Sequence, residues 1–353
     1  MTMHASRPKQ FWPIDAMRLS LRIVSLLILV AWLSPSTFAQ DSKKQSKLEQ
    51  FGAVRGRAPD GWAQFDWPKK RAVLFGQFAP TAEEKELIIQ ALPKSPIASV
   101  TKPRKVLVFY RCQYPHASIA TGNFAFEKLG TATGAYEATL TDDPTAINLK
   151  NLQQYDALLL NNTTDFDVTV GEPGRQAILD FVKSGKGLIG IHAAADSCKS
   201  WEEGARLFNG IFAGHPWLPK GTWAFKLDAP AHPLNQMFPS AEFDARDEIY
   251  IYRAGSHDRQ ASKILVELDL DQTQNHESPE LNQKIKDLTR AESHRPVAWI
   301  HEFGEETPRG RVFYSNFGHN NTTFWNPLIL KHYLAGIQYA TGDLTADATP
   351  SNP

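Results

Sequence analysis

The sequence predicts an α/β protein: a doubly wound, mostly parallel sheet in one domain, preceded by an N-terminal arm. Two observations carry that prediction. The runs KVLVFY (Lys105 to Tyr110), DALLL (Asp156 to Leu160) and GLIGI (Gly187 to Ile191) are short and apolar without polar alternation, as strands buried on both faces must be. Amphipathic helical stretches alternate with them, the pattern of helices packed on a parallel sheet.

Along the chain, residues 1–39 read as a secretory signal. Arg18 and Arg22 precede the apolar run Ile23 to Leu33, and Thr37-Phe38-Ala39 has the small-residue pattern of a cleavage site. Met17 opens this signal more naturally than Met1. The run is too short for a permanent membrane span, so a periplasmic or extracellular protein is expected after cleavage near Ala39. Residues 40–102 are polar and rich in Lys, Gln and Pro, and read as an arm. It contains Trp62 and Trp67, expected on the domain surface, and one helical stretch, Thr81 to Leu92, stopped by Pro93.

The domain proper is expected over 103–342. After the first strand a helix is expected from Ser118 to about Leu129. A second runs from about Glu172 to Lys183, with Pro173 in its first turn, where a missing N–H costs little, and Gly185 after its end. The second half is less regular, with strand-like runs at Thr222 to Leu227, Glu248 to Tyr252, Ile264 to Leu268, Val297 to His301 and Arg311 to Phe317. A helix from Pro327 to about Ala340 closes the domain. Residues 270–294 read as a polar surface excursion and 343–353 as a flexible tail with too few apolar residues to pack.

Lys+Arg and Asp+Glu both number 38, and four of the basic residues fall in the first 39, so the remainder is slightly acidic and charge points to no nucleic-acid partner. The two cysteines, Cys112 and Cys198, follow strands. An oxidising compartment would permit a disulfide, and a free buried pair fits as well.

In a doubly wound sheet, ligands bind at the carboxyl ends of the strands. Polar clusters sit there or in nearby loops: Tyr114 to Ser118 with His116, Asn161 to Asp165, His192 to Asp196, Gly214-His215-Pro216, and Gly318-His319-Asn320. The third is the most specific. A strand, a sharp turn with one reactive side chain and then small residues form an elbow that lifts His192 above the sheet, with a following helix N-terminus able to hold an anion. Asp196, four residues on, either orients the imidazole or caps the helix. His257, His276, His301 and His332 have no cluster around them and are expected on the surface or in the core. Trp217, Trp223 and Trp325 offer either a sugar-stacking face or core.

The ordered series PHASI (115–119), NNTTD (161–165), GKGLIGIHAAAD (185–196), GHP (214–216), DEIY (247–250), HRPVAW (294–299) and GRVFYSNFGHN (310–320) resembles the ThuA-like (trehalose-utilisation) family of the class I glutamine-amidotransferase-like superfamily. The resemblance spans about Lys105 to Gly342 and implies a flavodoxin-like sheet with a site facing His192. Amidotransferase relatives need Cys at the elbow and a His-x-Glu pair near the last strand. Here His192 and His319-Asn320-Asn321 stand at those places, so thioester glutaminase chemistry is excluded.

What the resemblance leaves is acid/base or metal-assisted chemistry on a carbohydrate, a glycoside or keto-sugar, by an isomerase, lyase or hydrolase. The catalytic candidates are His192, Asp196, Glu248 and His319; His116, Asn161, Asn162, His215 and His294 are expected to bind substrate. No cofactor is required by the sequence. The same histidines and carboxylates would suit a divalent metal such as zinc, assembled from separate loops. The alternative reading is a non-catalytic sugar-binding or scaffolding module on the same fold.

Overall fold

The computed structural model describes residues 52, 53, 55, 57–275 and 295–351. The signal segment 1–39, His276, His294 and most of the polar excursion lie outside the described residues. Among the described residues the strands are β1 (Lys105–Phe109), β2 (Glu137–Thr141), β3 (Ala157–Asn161), β4 (Gly187–Ile191), β5 (Phe212–Trp217), β6 (Trp223–Leu227), β7 (Glu242–Ala245), β8 (Ile249–Tyr252), β9 (Lys263–Leu268), β10 (Pro296–Phe303) and β11 (Gly310–Ser315). The α-helices are α1 (Trp67–Phe75), α2 (Ala82–Ala91), α3 (Ile119–Thr133), α4 (Leu149–Leu152), α5 (Phe166–Lys183), α6 (Glu202–Phe208) and α7 (Pro327–Thr341).

Nine strands form one sheet in the order β2-β1-β3-β4-β11-β10-β9-β6-β7, and β5 pairs with β8 in a separate ribbon. From β2 to β11 neighbours run parallel, in the 2-1-3-4-5 order of flavodoxin-like sheets. From β11 to β7 every pairing is antiparallel. The sheet therefore has a parallel half with crossover helices and an antiparallel extension.

Side-chain alternation along the strands sorts the two helical layers. Val106, Val108, Leu159, Ile189 and Phe313 join a core with Phe126 and Leu129 of α3 and Leu330, Leu334 and Ile337 of α7. Leu107, Phe109, Leu158, Leu160, Leu188 and Val312 face the other way, onto Ile178, Phe181 and Val182 of α5 and Leu207 of α6. A strand covered on both faces has no use for polar alternation, which is why β1, β3 and β4 were readable as unbroken apolar runs. Helix α5 is interrupted at Gly171, φ 62°, so its second segment starts where the Glu172 to Lys183 helix was expected.

The arm is more structured than its composition suggested. Thr81 caps α2 with a reciprocal capping box, Thr81 accepting from Glu84 N–H and Glu84 accepting from Thr81 N–H. Leu74 of α1 is buried with Tyr110, Cys112 and Ile119, and Trp62 and Trp67 pack against that cluster. Trp67 also donates its indole N–H to Asp142 Oδ2 at 2.7 Å. Cys112 and Cys198 are both free and buried. No described helix is long and apolar enough to cross a membrane.

The tail after α7 corrects the expectation of an unpacked segment. Leu344, Ala346 and Ala348 lie on the core, Asp343 takes two oxygens to the Arg104 guanidinium, and Ser351 accepts from Ile264 N–H at 3.1 Å while donating to Asp228 at 2.6 Å. Short polar residues can anchor a chain by hydrogen bonds where apolar ones are too few, and composition does not reveal this. Truncation after Gly342 leaves the Arg104 charge short of its main partner and is expected to cost about 3 kcal/mol. An unchanged urea midpoint in the truncated chain would show that the segment contributes nothing.

Candidate active site

His192 follows β4, between β3 and β11 in the parallel half, with φ +48°, a left-handed backbone that a non-glycine residue rarely adopts. The elbow expected from sequence is therefore present. Its support differs from the expectation: residues His192–Asp196 form a 3₁₀ turn, and α6 starts only at Glu202, so no α-helix N-terminus stands behind the histidine. The turn is held by Tyr314, whose hydroxyl donates to His192 O at 2.7 Å. Ala193, Ala194 and Ala195 are buried beneath it, where larger side chains would have no room.

The His192 side chain is fully buried, with Nδ1 2.6 Å from the Asn316 carbonyl oxygen at the end of β11. A carbonyl oxygen only accepts, so Nδ1 carries the hydrogen and Nε2 is left with its lone pair pointing into the site. Nε2 faces Glu248 Oε2 at 3.5 Å. The other carboxylate oxygen, Oε1, lies 3.4 Å from His215 Nδ1 and 3.7 Å from His319 Nε2. His116, in the loop after β1, completes a triangle of imidazoles. Ring centroids are 5.2 Å apart for His116 and His192, 5.4 Å for His192 and His319, and 5.5 Å for His116 and His319.

Burial opposes ionisation of Glu248, but His192, His319 and His215 around it outweigh that effect and bring its pKa down to about 2, so it is a carboxylate throughout the neutral range. His116 is held well below the ordinary histidine value, first by burial and then by the neighbouring imidazoles. His319 is lowered chiefly by burial, against the pull of Glu248. The site thus presents one fixed negative charge beside His116 and His319, whose neutral forms burial favours.

Several sequence-predicted residues take other roles. The Asp196 carboxylate pairs with Lys199 at 3.2 Å; the carboxylate that meets His192 is that of Glu248. Burial raises Asp196 to about 6. Asn161 lies below the triangle, donating to Ile119 O at 3.1 Å and Asn123 Oδ1 at 2.9 Å, and Asn162 donates to Gly318 O at 3.3 Å. Both are buried and brace the loops. His215 stands within β5, not in a loop after a strand. Register shifts against β8 at Gly214 and Trp217 make that strand irregular there, and His215 is exposed beside Glu248. Trp217 and Trp325 are buried, and Trp223 is half-buried with its indole N–H donated to Asp247 O at 3.0 Å, so the first two are core and the third is tied to the backbone.

Three residues escaped sequence reasoning. Tyr250 packs its ring 4.3 Å from that of His192 and brings its hydroxyl to 3.5 Å from His116 Nε2; burial holds the phenol well above its ordinary value, so it stays protonated. Asn316 fixes the His192 tautomer and accepts from Tyr250 N–H through Oδ1 at 2.9 Å. Asp247 is fully buried and accepts from Gly318 N–H at 2.6 Å, Asn320 N–H at 2.9 Å and Thr323 Oγ1 at 3.0 Å, which shapes the loop that carries His319. All three lie inside the motif strings DEIY and GRVFYSNFGHN, but only the pairing of distant segments gives them their roles. A groove of about 840 Å³ lined by Leu87, Arg246, Trp325 and Leu328 includes none of the imidazoles.

Gly318 makes the approach of His319 to His192 geometrically feasible. Its φ is +140°, and a Cβ there would lie 2.9 Å from Ile191 Cγ2 and 3.2 Å from His192 Cβ. Gly318→Ala is expected to push the loop away from the elbow, costing about 1–3 kcal/mol of stability and, through misplacement of His319, up to about 100-fold in turnover. Denaturation midpoints and kcat measured on the same preparation separate the two effects; full turnover in the variant would show that the close approach is dispensable.

A family model described as trehalose utilisation, ThuA, matches residues 105–340. Among solved structures, a ThuA-like protein from Bacteroides uniformis is similar over 69% of this chain and 93% of its own, with 20% identity and a TM-score of 0.52. A ThuA-like protein from Parabacteroides merdae is similar over 70% of this chain and 93% of its own, with 16% identity and a TM-score of 0.49. The first supports the fold. No curated protein matches the chain.

Proposed function

The chain belongs to the ThuA family, whose description is trehalose utilisation, and from that premise we propose that it is an exported enzyme of carbohydrate breakdown whose imidazoles and carboxylate perform acid/base chemistry on a keto-sugar or glycoside. The observation that carries this reading is His192: its Nδ1–H is committed to Asn316 O at 2.6 Å and its Nε2 faces Glu248 at 3.5 Å. A histidine of fixed tautomer with a permanent carboxylate beside its free nitrogen is built to take a proton and to have the resulting imidazolium stabilised.

In a keto-sugar, Nε2 of His192 would remove the proton on the carbon next to the ketone. The C–H electron pair moves into a new carbon–carbon double bond, and the carbonyl pair moves onto oxygen. Tyr250 supplies a hydrogen bond to that oxygen. Reprotonation at the other carbon gives isomerisation. Expulsion of a glycosidic oxygen, with a proton returned to it, gives elimination. The elbow holds no thiol, and Cys198, the nearest one in sequence, is buried with its pKa well above the ordinary value through burial, so a thiolate nucleophile has no part in this reading.

The partner is a small carbohydrate, with no nucleic acid. Residues 1–39 act as the export signal, and 40–102 as an arm on the ThuA-like domain. Mass spectrometry of the exported protein tests the signal: a first residue other than one near Gln40 speaks against cleavage there. For the chemistry, the purified protein is incubated with keto-glycosides and with their non-oxidised parents. Conversion of the keto-glycosides supports the reading; no change in any of them overturns it, and binding without conversion identifies a sugar-binding module instead.

A further inference from the structure

His116, Glu248 and His319 each offer one ligand atom, and these atoms all lie within 4.8 Å of one another. They come from three separate segments of the chain: the loop after β1, the start of β8 and the loop after β11. The imidazole set is also short of donors. His116 Nδ1 and His192 Nε2 are both buried without a hydrogen-bond partner, and Nε2 of His192 lies 3.5 Å from Glu248 Oε2. Buried polar atoms left without partners are unfavourable unless a further group lies between or beside them. A proton on His192 answers part of that demand. It does nothing for His116 Nδ1, and leaves the convergence of a second and third imidazole on the same carboxylate without a purpose.

We propose that this centre binds one divalent transition-metal ion through His116, Glu248 and His319, leaving an open coordination position beside His192. Two imidazoles and one carboxylate form a ligand set suited to zinc, iron or a similar ion, and three protein ligands leave room for water or substrate. The ligand atoms need to close by at most about 1.5 Å to reach the separations of a tetrahedral site with metal–nitrogen bonds near 2.0–2.1 Å. His319 sits on a loop that Asp247 holds by hydrogen bonds to Gly318 N, Asn320 N and Thr323 Oγ1, so the ligand arrives on a braced segment. His215 is nearly half exposed, 3.4 Å from the same carboxylate oxygen, and is a neighbour of the ligand rather than part of the set. The proposal deepens the acid/base reading and rests on it for its purpose: a cation at this point would polarise the ketone oxygen while His192 takes the proton.

The test uses the full exported chain. Metal content is measured after purification and dialysis, then the chelator-stripped protein is titrated with cobalt(II) and followed by its visible ligand-field absorption. The expected result is one equivalent bound, with the intense bands of a low-coordinate site, and a loss of at least about 100-fold in affinity in His116→Ala and in His319→Ala, with a change under about threefold in His215→Ala. Binding below one equivalent, or binding undiminished in the His116→Ala and His319→Ala proteins, overturns the metal site. Circular dichroism on each variant guards against misfolding, and if His116→Ala fails to fold, His116→Gln replaces it. The two readings fail separately. Protein that binds no cobalt yet converts keto-glycosides after stripping at the original rate removes the metal and leaves acid/base catalysis, whereas stoichiometric cobalt with no sugar converted removes the catalysis and leaves the metal.

Discussion

His192→Asn is expected to lower turnover of a responsive keto-glycoside by about 10²–10⁴-fold, the range that a positioned general base supplies. Asparagine is the informative replacement because it enters the left-handed region more readily than alanine or any β-branched residue. The φ of +48° at this position is then kept, and loss of activity cannot be blamed on a rebuilt turn. The shorter side chain cannot hold the Asn316 carbonyl and reach Glu248 together. Sugar binding, measured by calorimetry, should change far less than kcat. Full turnover in His192→Asn, with native-like circular dichroism, would sink the role of His192 as the base.

A second large effect is expected on stability in mild acid, independent of any substrate. His301 in β10 and His332 in α7 are buried, and burial lowers each to about 4. His332 lies among the rings of Phe238, Phe313 and Phe317, an apolar setting that resists a charge. An unfolded chain takes up these protons near pH 6.5, the ordinary histidine value, and the folded one does so only near pH 4. The unfolded state therefore binds more protons between those values. Stability is fully present above pH 6.5 and falls as pH drops towards 4, by about 3 kcal/mol for each histidine. Glu248, lowered from 4.5 to about 2, adds a loss in the same direction below pH 4.5. Urea midpoints at pH 7.5, 5.5 and 4.5 measure the slope. It should flatten in His332→Leu and in His301→Leu; a midpoint in the unaltered chain that does not move over this range would contradict the buried neutral state of both residues.

The parallel half of the fold was legible because burial on both faces leaves an unmistakable residue pattern, and β1, β3 and β4 all carry it. Strand β2 was not legible: Glu137–Thr141 lies at a sheet edge and alternates between exposed and half-buried positions. Strand β5, with Gly214 and Pro216 inside it, reads as a loop until its ribbon partner β8 is known. At the candidate site, five residues singled out by their chemistry, His116, His192, His215, Glu248 and His319, lie together. Asp196, for which orienting His192 was one of two readings, pairs with Lys199 instead, because proximity in sequence does not fix which way a side chain turns. Asn316 acts on His192 through its backbone carbonyl, a contact that any residue type can make, and the Asp247 carboxylate accepts from a loop some seventy residues away, a pairing that no composition announces.

The placement of β11 has a consequence for how the protein comes into being. It is the last strand in sequence, yet it occupies the fifth position of nine and joins β4 to β10. A chain emerging from its N-terminus therefore exposes the inner edges of two half-sheets until residues 310–315 arrive, and such unpaired edges invite association with other chains. His319 follows four residues behind that strand, so the same event that closes the sheet delivers the final imidazole. Termination before that strand leaves two half-sheets with open inner edges and a site without His319.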